Sequence, residues 1–199
     1  MDWNTVEQRL HSRGPRPKSQ LTPAAVLVLI AGESVVLEVR SARLRTQPGE
    51  VCLPGGRMEP GESPEQCALR ETAEELGVSG GDIEVLGRLD CLFHGVGQLI
   101  YPVLARTGPE TLERLRLNPG EVEQVFTVPV DWLLQHPPRP YQYRMQAQPD
   151  PSLPEQMLRW VMSYPNLRRG SYWDYQGHLI WGLTERILEM LCDLAREEG

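Results

Sequence analysis

The sequence predicts an α/β layered domain, and three observations carry that expectation. Two apolar runs rich in β-branched residues, 24–31 and 34–40, are separated only by Gly32 and Glu33. Residues 65–76 are rich in helix formers and lie between a helix-starting pair and a glycine. Residues 180–195 repeat apolar positions at helical spacing with no internal proline. Strands interleaved with helices, without an internal repeat, fit helices layered on a sheet. At 199 residues the chain suits one core with appended elements better than two, with residues 24–190 expected as the core.

In chain order, residues 3–11 have the spacing of a short amphipathic helix, and 14–18 read as a linker. The runs 24–31 and 34–40 predict an antiparallel hairpin across Gly32-Glu33. Residues 45–61 hold too many Gly and Pro for a continuous element and predict a long loop. Ser63 is placed to cap a helix, with Pro64 at its first position and Gly77 at its stop. Residues 83–89, 99–105 and 124–129 predict further strands, and 110–116 a short helix. Residues 137–154 are proline-dense and resist assignment. Residues 157–163 and 172–175 read as a late strand pair before the helix at 180–195.

Composition excludes several classes. Apolar residues make up 40%, charged residues 24%, and 18 Gly with 18 Pro describe a globular, loop-rich chain rather than a disordered or fibrous one. No apolar run approaches the roughly 20 residues that cross a bilayer, and the acidic start does not read as a signal peptide. A cytoplasmic location is expected. Twenty basic against 27 acidic residues leave a net charge of −7, which argues against nucleic-acid binding through a basic field. Lys18 is the only lysine; genomic composition bias explains the excess of arginine most cheaply, and the planar fork of arginine suits phosphate. Cys52, Cys67, Cys91 and Cys192 show no metal-ligand spacing and are expected as buried free thiols. His94, His136 and His178 likewise carry no role.

The helix at 65–76 carries the chemistry. At about 100° per residue, Glu71, Glu74 and Glu75 fall on one arc, while Leu69, Thr72, Ala73 and Leu76 centre on the other face. Three carboxylates at this spacing repel one another by a few tenths of a kcal/mol per pair. A solvated acidic face tolerates that, and a hard divalent cation relieves it. The neighbours favour the cation. Gly56 leaves a backbone carbonyl open to approach, Glu62 stands at the helix entrance, and Arg70 can pair with Glu74 one turn on.

Gly56, Glu62, Arg70, Glu71, Glu74, Glu75, Gly77 and Val78 stand as in G-x5-E-x7-R-E-U-x-E-E-x-G-U, the Nudix box. The seven fixed Gly, Glu and Arg positions would coincide by chance on the order of once in a million. The chain therefore resembles a Nudix hydrolase, with Thr72 in place of an aliphatic residue as the one departure within the box. The resemblance implies an α-β-α sandwich around a central mixed β-sheet, and hydrolysis of a nucleoside diphosphate linked to another group. It implies Mg2+ or Mn2+ on Glu71, Glu74, Glu75 and the Gly56 carbonyl, with Arg70 orienting the acids. The general base varies within the family; Glu75, Glu71 and the distant Glu121 are the candidates.

Upstream, residues 40–56 read RSARLRTQPGEVCLPGG, similar to the extra signature of the coenzyme A pyrophosphatase branch, with Leu53 where phenylalanine is usual. That resemblance implies coenzyme A or its thioesters as the small-molecule substrate. Arg40, Arg43 and Arg45 are the candidates for its phosphates through paired guanidinium contacts, the alternative being that they are solvated or partner nearby glutamates. Leu53, Cys52, Trp173, Trp181 and Tyr172 are expected to pack rather than to touch a ligand. ADP-ribose or another nucleoside diphosphate derivative is the same-class alternative, and a binding module without catalysis the different-class one. The aromatic C-terminal region leaves a homodimer open.

Overall fold

The computed structural model describes residues 21–94, 97–163 and 166–196. The helix expected at residues 3–11 and the linker at 14–18 lie outside the described residues.

Strands β1 (Thr22–Ala31) and β2 (Ser34–Arg40) form the expected hairpin, turned by Gly32 at φ 62°. The segment expected as one loop instead contributes two short strands, β3 (Val51–Cys52) and β4 (Gly55–Arg57). β2 pairs with β1 only near the hairpin turn, and β4 takes up the same edge of β1 at Ala24, Ala25 and Val26. Between them, the Leu27 N–H donates to the Pro54 carbonyl at 2.8 Å. Gly and Pro kept the strand signal below detection here because pairing partners, not propensity, define these strands.

Helix α1 (Pro64–Leu76) follows, as expected. Ser63 accepts the Gln66 N–H on Oγ while the Gln66 side chain accepts the Ser63 N–H, a reciprocal cap that fixes where the helix begins. Gly77, left-handed at φ 70°, donates its N–H to Ala73 O and ends it. Strands β5 (Glu84–Arg88), β6 (Leu92–His94), β7 (Gln98–Thr107) and β8 (Val122–Pro129) complete the main sheet. A 3-10 turn at Pro109–Arg114 stands where the short helix was expected. The main sheet runs β3-β2-β1-β7-β5, with β4 on β1, β6 on β7 and β8 on β2. β1 and β7 are parallel and the other pairs antiparallel, so the sheet is mixed.

After α2 (Val130–Gln135), the proline-dense stretch opens with β9 (Arg139–Arg144). Residues 157–163, expected as a strand, belong instead to α3 (Glu155–Ser163). No described sheet edge pairs with them, so their backbone groups pair within the helix, on which the apolar side chains fall at three- and four-residue spacing. The late strand pair is β10 (Leu167–Tyr175) with β11 (His178–Trp181), which form a second antiparallel sheet with β9. Helix α4 (Gly182–Arg196) begins two residues later than its apolar repeat, because Ile180 and Trp181 are in the ladder.

The core lies on both faces of the main sheet, which explains the unbroken apolar run of β1. Even-numbered Ala24 and Val28 pack toward α2, α4, Trp173 and Ile180, while Ala25, Leu27, Leu29 and Ala31 pack toward α1. Leu27, Leu29, Leu37, Leu76 and Leu188 are fully buried, each worth about 1.5–3 kcal/mol of burial. The result is a helix-sheet-helix sandwich. Among the described residues, no helix is long and apolar enough to cross a membrane.

The thiols divide. Cys67 and Cys192 are buried as expected, but Cys52 is half-buried and Cys91 exposed. Trp173 is buried and donates to the His136 carbonyl, whereas Trp181 is 45% exposed, contrary to the packing expected of it. Its position on β11 turns it away from the face that Ile180 buries. His178 stacks on Phe126 and His136 on Trp132, consistent with packing roles.

Candidate active site

α1 lies across the sheet where β4 leaves β1, and its acids meet the two glycines there. The Glu75 carboxylate accepts the Gly55 N–H at 2.9 Å. The Glu71 carboxyl lies against Gly56, close enough that a Cβ on that residue would stand 2.4 Å from its Cδ. Gly56 is not left-handed, so a side chain there would conflict with the Glu71 carboxyl rather than with its own backbone. The buried stripe of α1 is Pro64, Cys67, Ala68, Thr72, Glu75 and Leu76. This corrects the face expected from periodicity: Glu75 points into the protein, and Ala73 points to solvent. An acid occupies a core-facing position because β4 offers it a backbone donor in place of apolar contact.

Arg70 holds the cluster from outside. Its Nε and Nη2 fork onto Glu62 at 2.9 and 3.1 Å, and Nη1 reaches Glu71 at 2.8 Å. Nη2 also donates to the Arg57 carbonyl at 3.2 Å, tying α1 to β4. The Glu74 pairing foreseen from spacing is the longest of these contacts, 3.4 Å, and the Glu74 side chain remains 57% exposed. Glu62 is held at about 2 by the Arg70 fork and by the Glu59 N–H. The Cys67 thiol donates to the Gly56 carbonyl at 3.5 Å from beneath.

Glu121 reaches this region through the loop that closes over the end of α1. The Leu76 and Glu75 carbonyls accept the Arg116 and Asn118 N–H groups, and the Glu121 carbonyl accepts the Ser41 N–H at 2.8 Å. Glu121 thereby stands beside the end of β2, and its charge acts on both Glu38 and Glu75. Arg40, at that strand end, is half-buried, while Arg43 and Arg45 are exposed on the turn that follows.

One acid escaped the sequence reading. Glu38 is 1% exposed, and its Oε1 accepts the Cys52 thiol at 3.2 Å. Alternation along β2 puts it on the α1 side, since Val35 and Leu37 pack on the opposite face and Val36 toward α1. The available signal was a lone acid inside the apolar run VVLEV. Burial pushes Glu38 up to about 7. Glu75 rises to about 8, first through burial and then through the charges of Glu38, Glu71 and Glu121. Burial and the Glu38 carboxylate likewise push the Cys52 thiol up.

Among the described residues, no three His, Cys, Asp or Glu side chains close into a ready-made metal cage. The donor chemistry nevertheless suits a hard cation. Carboxylates crowd together at the cost of a raised pKa for Glu38 and Glu75, and one buried oxygen of Glu38 has no partner. Among the described residues the side-chain cation paired with Glu71 and Glu74 is Arg70, while Arg88 pairs with Glu65 at the far end of the helix.

The NUDIX domain family matches residues 21–148, well over half of the chain. The chain belongs to the Nudix hydrolase family. It is 35% identical over 186 residues to an uncharacterized Nudix hydrolase, NudL, of Photorhabdus laumondii, covering 89% of each chain. It is 33% identical over 199 residues to the mitochondrial coenzyme A diphosphatase NUDT8 of Mus musculus, covering 97% of this chain and 87% of that one. Nudix hydrolase 3 of Caenorhabditis elegans is 43% identical over 111 residues, and the match spans 46% of its length. The two departures from Nudix sequence patterns are absorbed locally. Thr72 is buried and donates its hydroxyl to the Ala68 carbonyl at 2.7 Å, and Leu53 packs in the core as expected.

Proposed function

We propose that this Nudix hydrolase cleaves the pyrophosphate bond of coenzyme A or its thioesters, giving 4′-phosphopantetheine and adenosine 3′,5′-bisphosphate. The observation that carries the reading is the convergence of Glu71 and Glu75 on Gly56 and Gly55, directly after the arginine-bearing segment at 40–56. The mouse relative, matched over nearly the whole chain, is named a coenzyme A diphosphatase, which supports the same substrate.

In this reading the Gly56 carbonyl, Glu71, Glu74 and Glu75 hold Mg2+ or Mn2+. Such an ion neutralises pyrophosphate oxygens and lowers the barrier to attack by water. Arg70 keeps Glu71 and Glu62 in place and touches no substrate. Arg40, Arg43 and Arg45 grip phosphate oxygens through paired N–H groups. Glu121 accepts the proton of the attacking water, or serves as a further ligand of the ion. Positioning and charge supply most of the rate, as in phosphoryl transfer generally.

The test is product analysis by liquid chromatography after incubation with Mg2+ and, separately, Mn2+. Coenzyme A should be split at the pyrophosphate, faster than dephospho-coenzyme A. Preferred turnover of ADP-ribose would redirect the substrate assignment, and no turnover of any candidate with either ion would leave a binding module. A cytoplasmic location belongs to this reading although the mouse relative is named mitochondrial; cell fractionation decides it. A homodimer through the C-terminal region, where Leu179, Trp181 and Leu194 are exposed, is read by light scattering.

A further inference from the structure

Among the described residues, two buried side-chain polar atoms lack a hydrogen bond: Glu38 Oε2 and Arg40 Nε. They stand two residues apart on β2; alternation puts Glu38 on the face that α1 covers, and although the ladder with β8 shifts register between Val39 and Arg40, the charge of Arg40 acts on Glu38. An unsatisfied buried oxygen on a carboxyl is costly, and an apolar residue between Leu37 and Val39 would avoid the cost. Protonation does not remove the difficulty. A hydroxyl on Oε2 would be a donor with no acceptor, exchanging one orphan for another.

The neighbours indicate what is missing. Oε1 is already taken by Cys52, which pairs with Glu38 across the β2-β3 ladder and precedes Pro54 and Gly55. Gly55 in turn holds Glu75. Among the charges that act on Glu75, that of Glu38 is the largest, ahead of Glu71 and Glu121. The Arg40 guanidinium already lends Glu38 its charge, yet neither Oε2 nor Nε has a hydrogen-bond partner, so the crowded acids still have room for a cation and Arg40 for an anion. A divalent ion carrying a phosphate group satisfies both.

We propose that Glu38 belongs to the cation-binding set, offering Oε2 to the divalent ion directly or through one water, while Arg40 Nε meets an oxygen of the phosphate that the ion carries. This rests on the cation-dependent reading above and adds to it an acid from the sheet, outside the helix that supplies the others. Glu38 is thus a positioning residue for the ion.

The experiment is a Mn2+ titration of the metal-free full chain without substrate, following free Mn2+ by electron paramagnetic resonance. Glu38→Gln keeps the size of the side chain and the Cys52 contact but removes the charge. It should weaken Mn2+ binding by about 10- to 100-fold and shrink the rise in unfolding temperature that Mn2+ produces. Glu84→Gln, on an exposed pair with Arg106, should bind as wild type does. Mn2+ binding as tight in Glu38→Gln as in wild type overturns the proposal. If Glu38→Gln does not fold, Glu38→Leu, which replaces the unpaired buried acid by an apolar group, is titrated instead and judged by the same outcomes. Failure of wild type to bind Mn2+ would overturn the functional reading itself. Weakening by Glu71→Gln but not by Glu38→Gln would remove only the role of Glu38.

Discussion

The carboxyl of Glu71 occupies the space that a side chain on Gly56 would need, with its three terminal atoms 2.4–2.5 Å from an ideal Cβ position. A methyl group at that position would meet only the movable end of the Glu71 side chain and no backbone atom, so it shifts the acid without parting helix from strand. Gly56→Ala should leave the fold intact, displace Glu71, and lower Mn2+ affinity and turnover by about 10- to 100-fold. Wild-type affinity in this variant would show that the fit is incidental.

Arg70 divides its donors among Glu62, Glu71, Glu74 and the Arg57 carbonyl. A lysine cannot reproduce that fork. Arg70→Lys should reduce kcat by about 10- to 100-fold while KM changes little, because the side chain positions acids and does not contact substrate. Steady-state kinetics separates the two constants; a rise confined to KM would move Arg70 into the substrate site.

Glu74 and Glu75 differ in burial, so their amide variants should differ in stability though both lose activity. Turnover should fall by about two orders of magnitude or more in Glu74→Gln and in Glu75→Gln. Only Glu75→Gln should raise the unfolding temperature of the metal-free protein above neutral pH, since it removes a buried charge among like charges. Equal thermal behaviour of the two variants in chelator would contradict the burial argument.

The metal-free protein should also become less stable as pH rises. Folding lifts Glu75 from 4.5 to about 8 and Glu38 from 4.5 to about 7. A carboxyl raised by folding stabilises the native state fully below its unfolded value and loses that contribution as pH climbs through its folded value. Glu62 and Glu65, lowered from 4.5 to about 2, act in the opposite sense and lose their contribution only as pH falls below 4.5. Calorimetry in chelator should therefore show unfolding temperature declining from pH 4.5 through 8, and excess Mn2+ should flatten the decline. A flat chelator profile across that window would refute it.

The arginines should separate by exposure. Arg40 is half-buried with an unpaired Nε, so Arg40→Ala should raise KM for coenzyme A by roughly 10-fold or more. Arg43 and Arg45 are exposed, and each alanine variant should change KM by no more than about fivefold. Repeating the series with dephospho-coenzyme A identifies which arginine senses the 3′-phosphate; identical effects on both substrates would assign all three to the pyrophosphate.

Helix α1 and most of its acids were readable from residue order, because caps, glycine stops and three- to four-residue spacing act within a turn or two of chain. Ser63, Pro64 and Gly77 bound the helix where local chemistry says they should. β1 and β2 were readable for a similar reason, with β-branched runs on either side of a glycine turn. The mixed sheet and its two helical layers followed from the family pattern rather than from periodicity. What escaped depended on partners far away in the chain. Residues 157–163 look alike as helix or strand until the ladder partners are known, and β3, β4 and β9 are strands because other strands lie beside them. Glu38 is a single acid in an apolar run until β2 turns it toward α1, and Glu75 looks solvent-facing until the Gly55 N–H draws it inward. Propensity is a property of neighbours in sequence; burial and charge at this site arise from segments that meet only when the sheet closes under the helix.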